Sequence, residues 1–379
     1  MRLHRLKIDD GIAYSFFDAN SRLVETPTHY MQYVAQMDRY SAASQSQLGQ
    51  VLKQFLSYLE LSPNFAGFNV DEAFAGFNYD HLVDWVNLQR LAGANETTIH
   101  GRETLVREMY KYLGSHDANR LIEVTPWIGD SLITRQGARN LPRYVTSAQV
   151  VRLLLGLKNE SQRAAVHFIF DTGVRISELC RISRGALPST SDWPVQPYYP
   201  LTVAGSKGRT GDRIKMRETV ISHPMLVRVR KYHKTRAYLS SAGWDHDDSS
   251  KPMFLSVNGE RLSSSGVQKA IASASKKQAM PAGSISPHRL RHGAAFSVLR
   301  SDLGPQLIDN LLILRGMLGH NQITTTETYA HIPLAAILKD RSVIARHVEA
   351  QEIFDATFLY PREELENRGH RPQRRSRHG

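Results

Sequence analysis

The sequence predicts a mainly α-helical chain with a small β-hairpin or sheet, an α+β fold, divided into two parts near residue 140. Three observations carry this. Apolar residues recur at helical spacing through most of the chain. The period changes around a glycine-rich stretch at 198–221. The charge is also unevenly divided: residues 1–140 hold 13 Lys+Arg against 16 Asp+Glu, whereas residues 141–379 hold 35 against 20.

The bulk composition suits a folded protein. With 379 residues there is room for two or three domains, and 41% hydrophobic with 22% charged residues is a globular balance. The net charge of +12 favours a polyanionic partner, either nucleic acid or an anionic membrane surface. The single cysteine, Cys180, excludes a disulfide framework and a Cys-rich zinc site; beside Leu179 it reads as inert packing. The opening MRLHRLKIDDGIAYSFF lacks the unbroken apolar run of a secretory signal. No stretch approaches the ~18 apolar residues needed to cross a bilayer. A soluble protein of a reducing compartment is expected.

Taken in order, the elements begin with a helix capped by Ser44, with Leu48, Val51, Leu52, Phe55 and Leu59 on one face. Leu82, Trp85, Val86 and Gln89 mark a second helix, and Ile99, Val106, Met109 and Leu113 a third, so the N-terminal part is expected to be a small all-helical bundle. Residues 125–143 carry two prolines and two glycines and read as a linker. Thr146 and Gln149 then form a capping box opening a helix through Leu155. Helical patterns continue over 164–170 and 176–182. Tyr198–Val203 and Ile214–Ile221 are β-like runs around GSKGRTGD. From Pro224 the chain is helical again, apart from loops at 242–262 and 279–287. The last ten residues, HRPQRRSRHG, read as a disordered basic tail.

Chemistry concentrates in four places. In Asp171-Thr172-Gly173-Val174-Arg175-Ile176-Ser177-Glu178, a glycine turn places Arg175 at a helix start; taken alone, a salt bridge to Glu178 at i+3 explains it. In Gly205-Ser206-Lys207-Gly208-Arg209, glycines let the backbone approach a ligand, although an ordinary basic hairpin has the same composition. It is not a Walker A loop, because the G-x-x-x-x-G-K-[ST] spacing is missing. In Ser286-Pro287-His288-Arg289-Leu290-Arg291-His292, His288 shares a helical face with Arg291 and His292. Two histidines at i, i+4 can bind zinc, but Arg291 would repel a dication, and a His–Arg pair is better suited to an oxyanion such as phosphate. Last come Leu318-Gly319-His320 and, nine residues on, Tyr329, which on its own is an ordinary half-buried aromatic.

In this order, Arg175, Lys207, His288-x-x-Arg291, His320 and Tyr329 resemble the tyrosine recombinases, the phage-integrase family. The matching text is TGVRISEL, GSKGR, PHRLRH and LGH; LPRYVTSAQVVRLL is similar to the start of that family's catalytic domain, and NETTIHGRETLVREMYKYL to its core-binding domain. The resemblance implies an N-terminal helical, SAM-like core-binding domain over 1–135 and a linker over 136–145. A tyrosine-recombinase catalytic domain over 146–350 and an extension with a basic tail over 351–379 would follow.

It also implies a chemistry. Arg175 and Arg291 would hold the non-bridging oxygens of a phosphodiester, and His288 and His320 would add hydrogen bonds or assist proton transfer. Tyr329 would be the nucleophile, its phenol needing a cationic pocket because its unperturbed pKa is ~10. Lys207 would protonate the leaving 5′ oxygen. The product is a 3′-phosphotyrosyl bond, so neither ATP nor a metal is called for, and no cofactor is expected. Glu178 and His292 read as supporting residues, and Arg102, Arg107, Lys111 and Arg209 as DNA contacts.

The expected partners are double-stranded DNA recombination sites and three further copies of the chain, in a homotetramer on paired DNA. An accessory DNA-bending protein is a further partner that the chemistry allows. The expected location is the cytoplasm, on the nucleoid, with no membrane role. Integration, excision, transposition and resolution of multimers all use this chemistry. Two alternatives keep the scaffold: a non-catalytic DNA-binding regulator, and a type IB topoisomerase-like activity without a partner duplex. Finally, Ala335–Val348 is amphipathic enough to dock as a helix, expectedly on a neighbouring protomer.

Overall fold

The computed structural model describes residues 1–8, 11–37, 40–122, 125–129, 131–135, 143–189, 196–207, 214–241, 243–245, 248–301, 303, 307–319 and 345–359. The chain forms two compact units, which part between Arg139 and Asn140. Among the described residues no helix is long and apolar enough to cross a membrane.

The first unit is not all-helical. Strands β1 (Arg2–Ile8), β2 (Gly11–Phe17) and β3 (Leu23–Val24) make an antiparallel sheet in the order β1-β2-β3, with Arg2 opposite Phe17 and Phe16 opposite Val24. Tyr14 and Phe16 point to one face, as residues two apart in a strand must, and both are buried. The Phe16 N–H donates to Thr28 Oγ1 at 3.1 Å, joining the sheet to α1 (Glu25–Gln36).

Four helices follow: α2 (Ala42–Leu61), α3 (Val70–Ala75), α4 (Tyr79–Leu91) and α5 (Glu96–Leu113). The predicted apolar faces are buried, except that Val51 is only partly so. The cap of α2 is Ser41 rather than Ser44: its hydroxyl accepts from the Ser44 N–H at 3.2 Å, the third-position donor that a cap satisfies.

The stretch read as a linker from 125 is partly docked. Glu103 of α5 is fully buried, and its carboxylate accepts from Trp127 Nε1 (2.9 Å), Ile133 N (2.7 Å) and Thr134 N (2.9 Å). A buried carboxylate with this many donors is well solvated by the protein itself, and it fixes 127–134 against the bundle.

In the second unit the predicted capping box is present: Thr146 and Gln149 exchange bonds at the start of α6 (Ser147–Gly156). The central helix is α7 (Glu160–Thr172), in which every residue but Gln162 is buried. After α8 (Ile176–Arg181) come the paired strands β4 (Tyr198–Lys207) and β5 (Ile214–Ser222). Then follow α9 (His223–His233), α10 (Arg236–Leu239), α11 (Ser264–Lys277), α12 (Pro287–Leu299) and α13 (Leu307–Leu318). Cys180 is half-buried with Sγ 3.7 Å from Ser264 Oγ, and burial pushes its thiol up, away from the reactive thiolate.

Helix α12 lies against α7 at Gly293. A Cβ built there would come 2.5 Å from Val145 O and 2.7 Å from the Phe170 ring. Both obstacles are backbone or tightly packed ring, so Gly293→Ala is expected to cost about 1–3 kcal/mol. A melting midpoint equal to wild type would show that the helices part more easily than this.

The last described helix is α14 (Arg346–Thr357), which the apolar pattern does not single out. Residues 335–344 lie outside the described residues, as does the basic tail, and the helix runs across the boundary drawn at 350. It packs on α6, α7, α9 and β5 of its own unit, burying Ala350, Ile353 and Phe354. The reason is chemical as well as apolar. Fully buried Arg228 of α9 donates through Nη1 to Thr357 Oγ1 (2.8 Å) and His167 Nδ1 (3.2 Å), through Nη2 to Thr357 O (3.3 Å), and through Nε to Glu160 Oε1 (2.7 Å).

Candidate active site

The site begins where α7 stops. Gly173 takes the left-handed conformation (φ +66°) and its N–H caps Ile169 O at 3.0 Å, a C-terminal geometry that favours glycine. Two neighbours fix this end to β5: Asp171 Oδ2 accepts from Ser222 N (2.9 Å), and Thr172 O accepts from Thr219 Oγ1 (2.8 Å). Burial raises the Asp171 carboxyl above its ordinary value, against the pull of Arg346 and the Ser222 bonds.

The turn delivers Arg175 as the N-cap of α8. Glu178, three residues on, accepts from the Arg175 N–H at 2.7 Å and from Arg175 Nη1 at 2.9 Å. The predicted salt bridge therefore exists, but it is not the whole of it. Glu178 is fully buried and also receives Arg217 of β5, through Nη2 to Oε2 (2.6 Å) and Nε to Oε1 (3.2 Å). Burial alone would push this carboxyl up. The hydrogen bonds and charges of Arg217 and Arg175 outweigh it and hold Glu178 below the usual carboxylate range, so it is ionised at neutral pH.

Arg291 comes to the same turn from α12. It is buried, with Nη1 donating to Gly173 O and Nη2 to Leu318 O at 2.7 Å. Arg217 Nη1 donates to the adjacent carbonyl, Met317 O. The C-terminal carbonyls of α13 are thus held by two arginines from two other elements. Gly319 follows with φ +61°, and a Cβ there would come 2.5 Å from Arg217 Cδ.

His288 sits in the first turn of α12, which Ser286 caps by accepting from the Arg289 N–H at 3.2 Å. Its ring meets that of His292 edge to face with centroids 4.2 Å apart, as their i, i+4 spacing predicts. His288 is exposed, yet desolvation of its ring, reinforced by the charges of Arg291 and Arg175, lowers its pKa below the ordinary histidine value.

The structure therefore brings together Arg175, Glu178, Arg291, His288 and His292, and adds Arg217, which the sequence reading did not single out. Lys207 ends β4, but its side chain, together with Arg209, His320 and Tyr329, lies outside the described residues. In the first unit Arg102 donates to Gln89 Oε1 at 3.0 Å, Arg107 is half-buried and Lys111 is exposed. Arg107 and Lys111 share a helical face, whereas Arg102 lies roughly 140° away from Arg107 around α5.

A buried carboxylate gripped by two arginines, with a third arginine over the preceding turn and a histidine alongside, is a concentration of positive charge with the chemistry to receive an oxyanion, on a mainly helical scaffold. The sequence profile of the phage integrase family matches residues 143–334, just over half of the chain, and the chain belongs to that family.

Among individual proteins, the chain is 26% identical over 315 residues to the tyrosine recombinase XerD of Chlamydia muridarum, covering 76% of this chain and 93% of that protein. It is 25% identical over 299 residues to the tyrosine recombinase XerA of Pyrococcus furiosus, covering 75% and 90%. Among solved structures, the Tn1549 transposon integrase in complex with transposon right end DNA aligns with a TM-score of 0.58 at 16% identity, over 82% of this chain and 96% of that one. A lambda integrase dimer bound to a core site aligns with a TM-score of 0.57 at 14% identity, over 80% and 93%. These are likenesses of fold: an N-terminal core-binding domain followed by a catalytic domain.

Proposed function

We propose that this chain is a site-specific DNA recombinase that cuts and rejoins DNA through a 3′-phosphotyrosyl intermediate. The observation that carries the reading is the convergence of Arg175 and Arg291 on one turn. Arg175 leaves it two residues after Gly173, while Arg291 donates to the Gly173 carbonyl. Arg175 is 34% exposed on its side chain and engages Glu178 through Nη1, so its guanidinium faces both a buried anchor and the solvent from which a phosphate arrives.

In the proposed reaction the Tyr329 oxygen attacks the scissile phosphorus. A new phosphorus–oxygen bond to tyrosine forms, and the bond to the 5′ oxygen breaks. Arg175 and Arg291 neutralise the charge that grows on the non-bridging oxygens. The phenol proton passes to a histidine, His288 or His320, and Lys207 supplies a proton to the departing 5′ oxygen. Attack by a 5′-hydroxyl of the partner strand reverses the steps and frees Tyr329. The energy of the phosphodiester is kept in the phosphotyrosyl bond, so the cycle calls for no ATP and no metal.

The partners in this reading are double-stranded recombination sites and a homotetramer pairing two of them, with an accessory bending protein as a further partner, at the nucleoid in the cytoplasm. The surplus of basic residues after 140 supports the DNA partner. Arg107 and Lys111 on one face of α5, with Arg102 and Arg209, are the proposed backbone contacts.

The test is capture. A pool of nicked duplexes tiled across the DNA flanking the gene is incubated with the protein in EDTA, and covalent complexes are isolated under denaturing conditions. A covalent band is the expected result. Tight binding without a band would favour the regulator, and relaxation of supercoiled DNA without strand exchange would favour the topoisomerase-like reading.

The lowered His288 pKa has a consequence for pH. A histidine held below its ordinary value is neutral at pH 7 and able to accept a proton. The cleavage rate is therefore expected to hold down to the ordinary histidine range, roughly 6.5, and to fall as pH drops through the lowered value and the ring protonates. His288→Ala should remove this acid limb while leaving a slower, flatter profile. An acid limb unchanged in that variant would assign the titration to another group.

A further inference from the structure

Arg217 lies outside the constellation that the sequence displays, yet it joins Glu178 to the end of α13. Its side chain is only 9% exposed. Two nitrogens bind the two oxygens of Glu178 and the third binds the carbonyl of Met317, 100 residues further along the chain. All three guanidinium nitrogens thus face protein groups, and Gly319 approaches the aliphatic stem so closely that a β-carbon there would collide with Cδ.

We propose that Arg217 is a positioning residue for strand transfer, setting the pose of Arg175 through Glu178 and tying that pair to the end of α13. The proposal rests on the recombinase reading above. The argument is one of competition for a carboxylate. Glu178 has two oxygens and is buried, so it binds whichever guanidinium reaches it in the fork geometry that carboxylates favour. Arg217 occupies both oxygens, and among the described residues Arg175 makes a single side-chain bond, Nη1 to Oε1.

Without Arg217, the carboxylate would be open to a two-pronged grip by Arg175, drawing that guanidinium inward and away from an incoming phosphate. The electrostatic count agrees: one carboxylate facing two guanidiniums leaves a surplus positive charge, for which a phosphodiester is the complement. The tie to Met317 adds a second effect. The carbonyl that Arg217 holds is two residues before Gly319, so the exit of the chain from α13 toward His320 starts from a backbone anchored to the same carboxylate.

The experiment uses the full-length protein and the duplex that wild type captures covalently. Arg217→Gln is expected to slow covalent complex formation at saturating DNA by about ten- to hundredfold, the scale of a small misplacement of a catalytic group. DNA affinity should change by less than about threefold, because the residue touches no DNA in this proposal. Arg217→Lys keeps the charge without the fork and is expected to recover part of the rate. If Arg217→Gln does not fold, Arg217→Lys carries the test alone, with slowed cleavage at saturating DNA still expected.

Because Arg217 acts through Glu178, adding Arg217→Gln to Glu178→Gln should cost little beyond the single change. Full-rate cleavage by Arg217→Gln would overturn the proposal. So would a loss confined to DNA affinity, or two losses that simply multiply. A wild-type protein that captures no duplex would refute the recombinase reading itself, so the two failures are told apart by the wild-type lane.

Discussion

Tyr329→Phe is expected to bind DNA as tightly as wild type and to form no covalent complex. The change removes one oxygen atom and leaves the ring, so the proposed cationic contacts to the phosphate backbone would persist. The salt-dependent bulk of the affinity is therefore unchanged. The chemistry, in contrast, has no substitute. Water attacking in the same pocket would yield a free end rather than a protein–DNA bond. Loss of a covalent nucleophile typically costs on the order of 10⁴-fold or more, below what a denaturing gel detects. The check is that gel, with binding followed in parallel by mobility shift. A covalent band in the variant would mean that another residue is the nucleophile, whereas weakened binding would make Tyr329 part of the DNA interface instead.

Arg228→Met is expected to be the most destabilising single change in the second unit. The guanidinium is fully buried and serves three partners at once: Glu160, His167 and Thr357. Methionine fills most of the volume but donates nothing. Among the described residues Glu160 keeps Arg163 as its one cationic partner, at 2.9 Å on its other oxygen, and the end of α14 loses its buried anchor. Removing one member of a buried ionic network costs about 3–5 kcal/mol, which for a unit of this size lowers the melting midpoint by roughly 10 °C. Thermal and denaturant unfolding both read it. Pairing Arg228→Met with Glu160→Leu should recover part of the loss, since the stranded carboxylate goes too. A midpoint unchanged in the single variant would show that water enters and solvates Glu160.

The legible parts of this protein were those whose partners are near in sequence. Glu178 lies three residues from Arg175, and His292 four from His288, so helical spacing alone brought each pair together. The Thr146–Gln149 box was readable for the same reason. Arg217 was not, because its partners are 39 and 100 residues away and nothing distinguishes it locally from the other Lys and Arg among 48.

The N-terminal sheet was missed although a signal was present. Asp9-Asp10-Gly11 is turn chemistry between two runs that contain Leu3, Ile8, Ile12, Tyr14 and Phe16, but the basic residues among them hid the alternation. Helix α14 is not legible in an apolar pattern because its anchor is polar: Thr357 and Arg228, which seat it, carry no weight in such a pattern.

The arginines of the site meet across long stretches of chain. Arg291 reaches Gly173 over 118 residues and Arg217 reaches Met317 over 100. Contacts of such separation close late in folding, after the entropy of large loops has been surrendered. A nascent or half-folded chain would carry the same surplus of basic residues and could adhere to DNA by charge. It would not yet have the convergent arginines that the proposed reaction requires. In the recombinase reading, DNA cutting would then await completion of the fold, and a chain stalled on the way would be a weak binder rather than a nuclease.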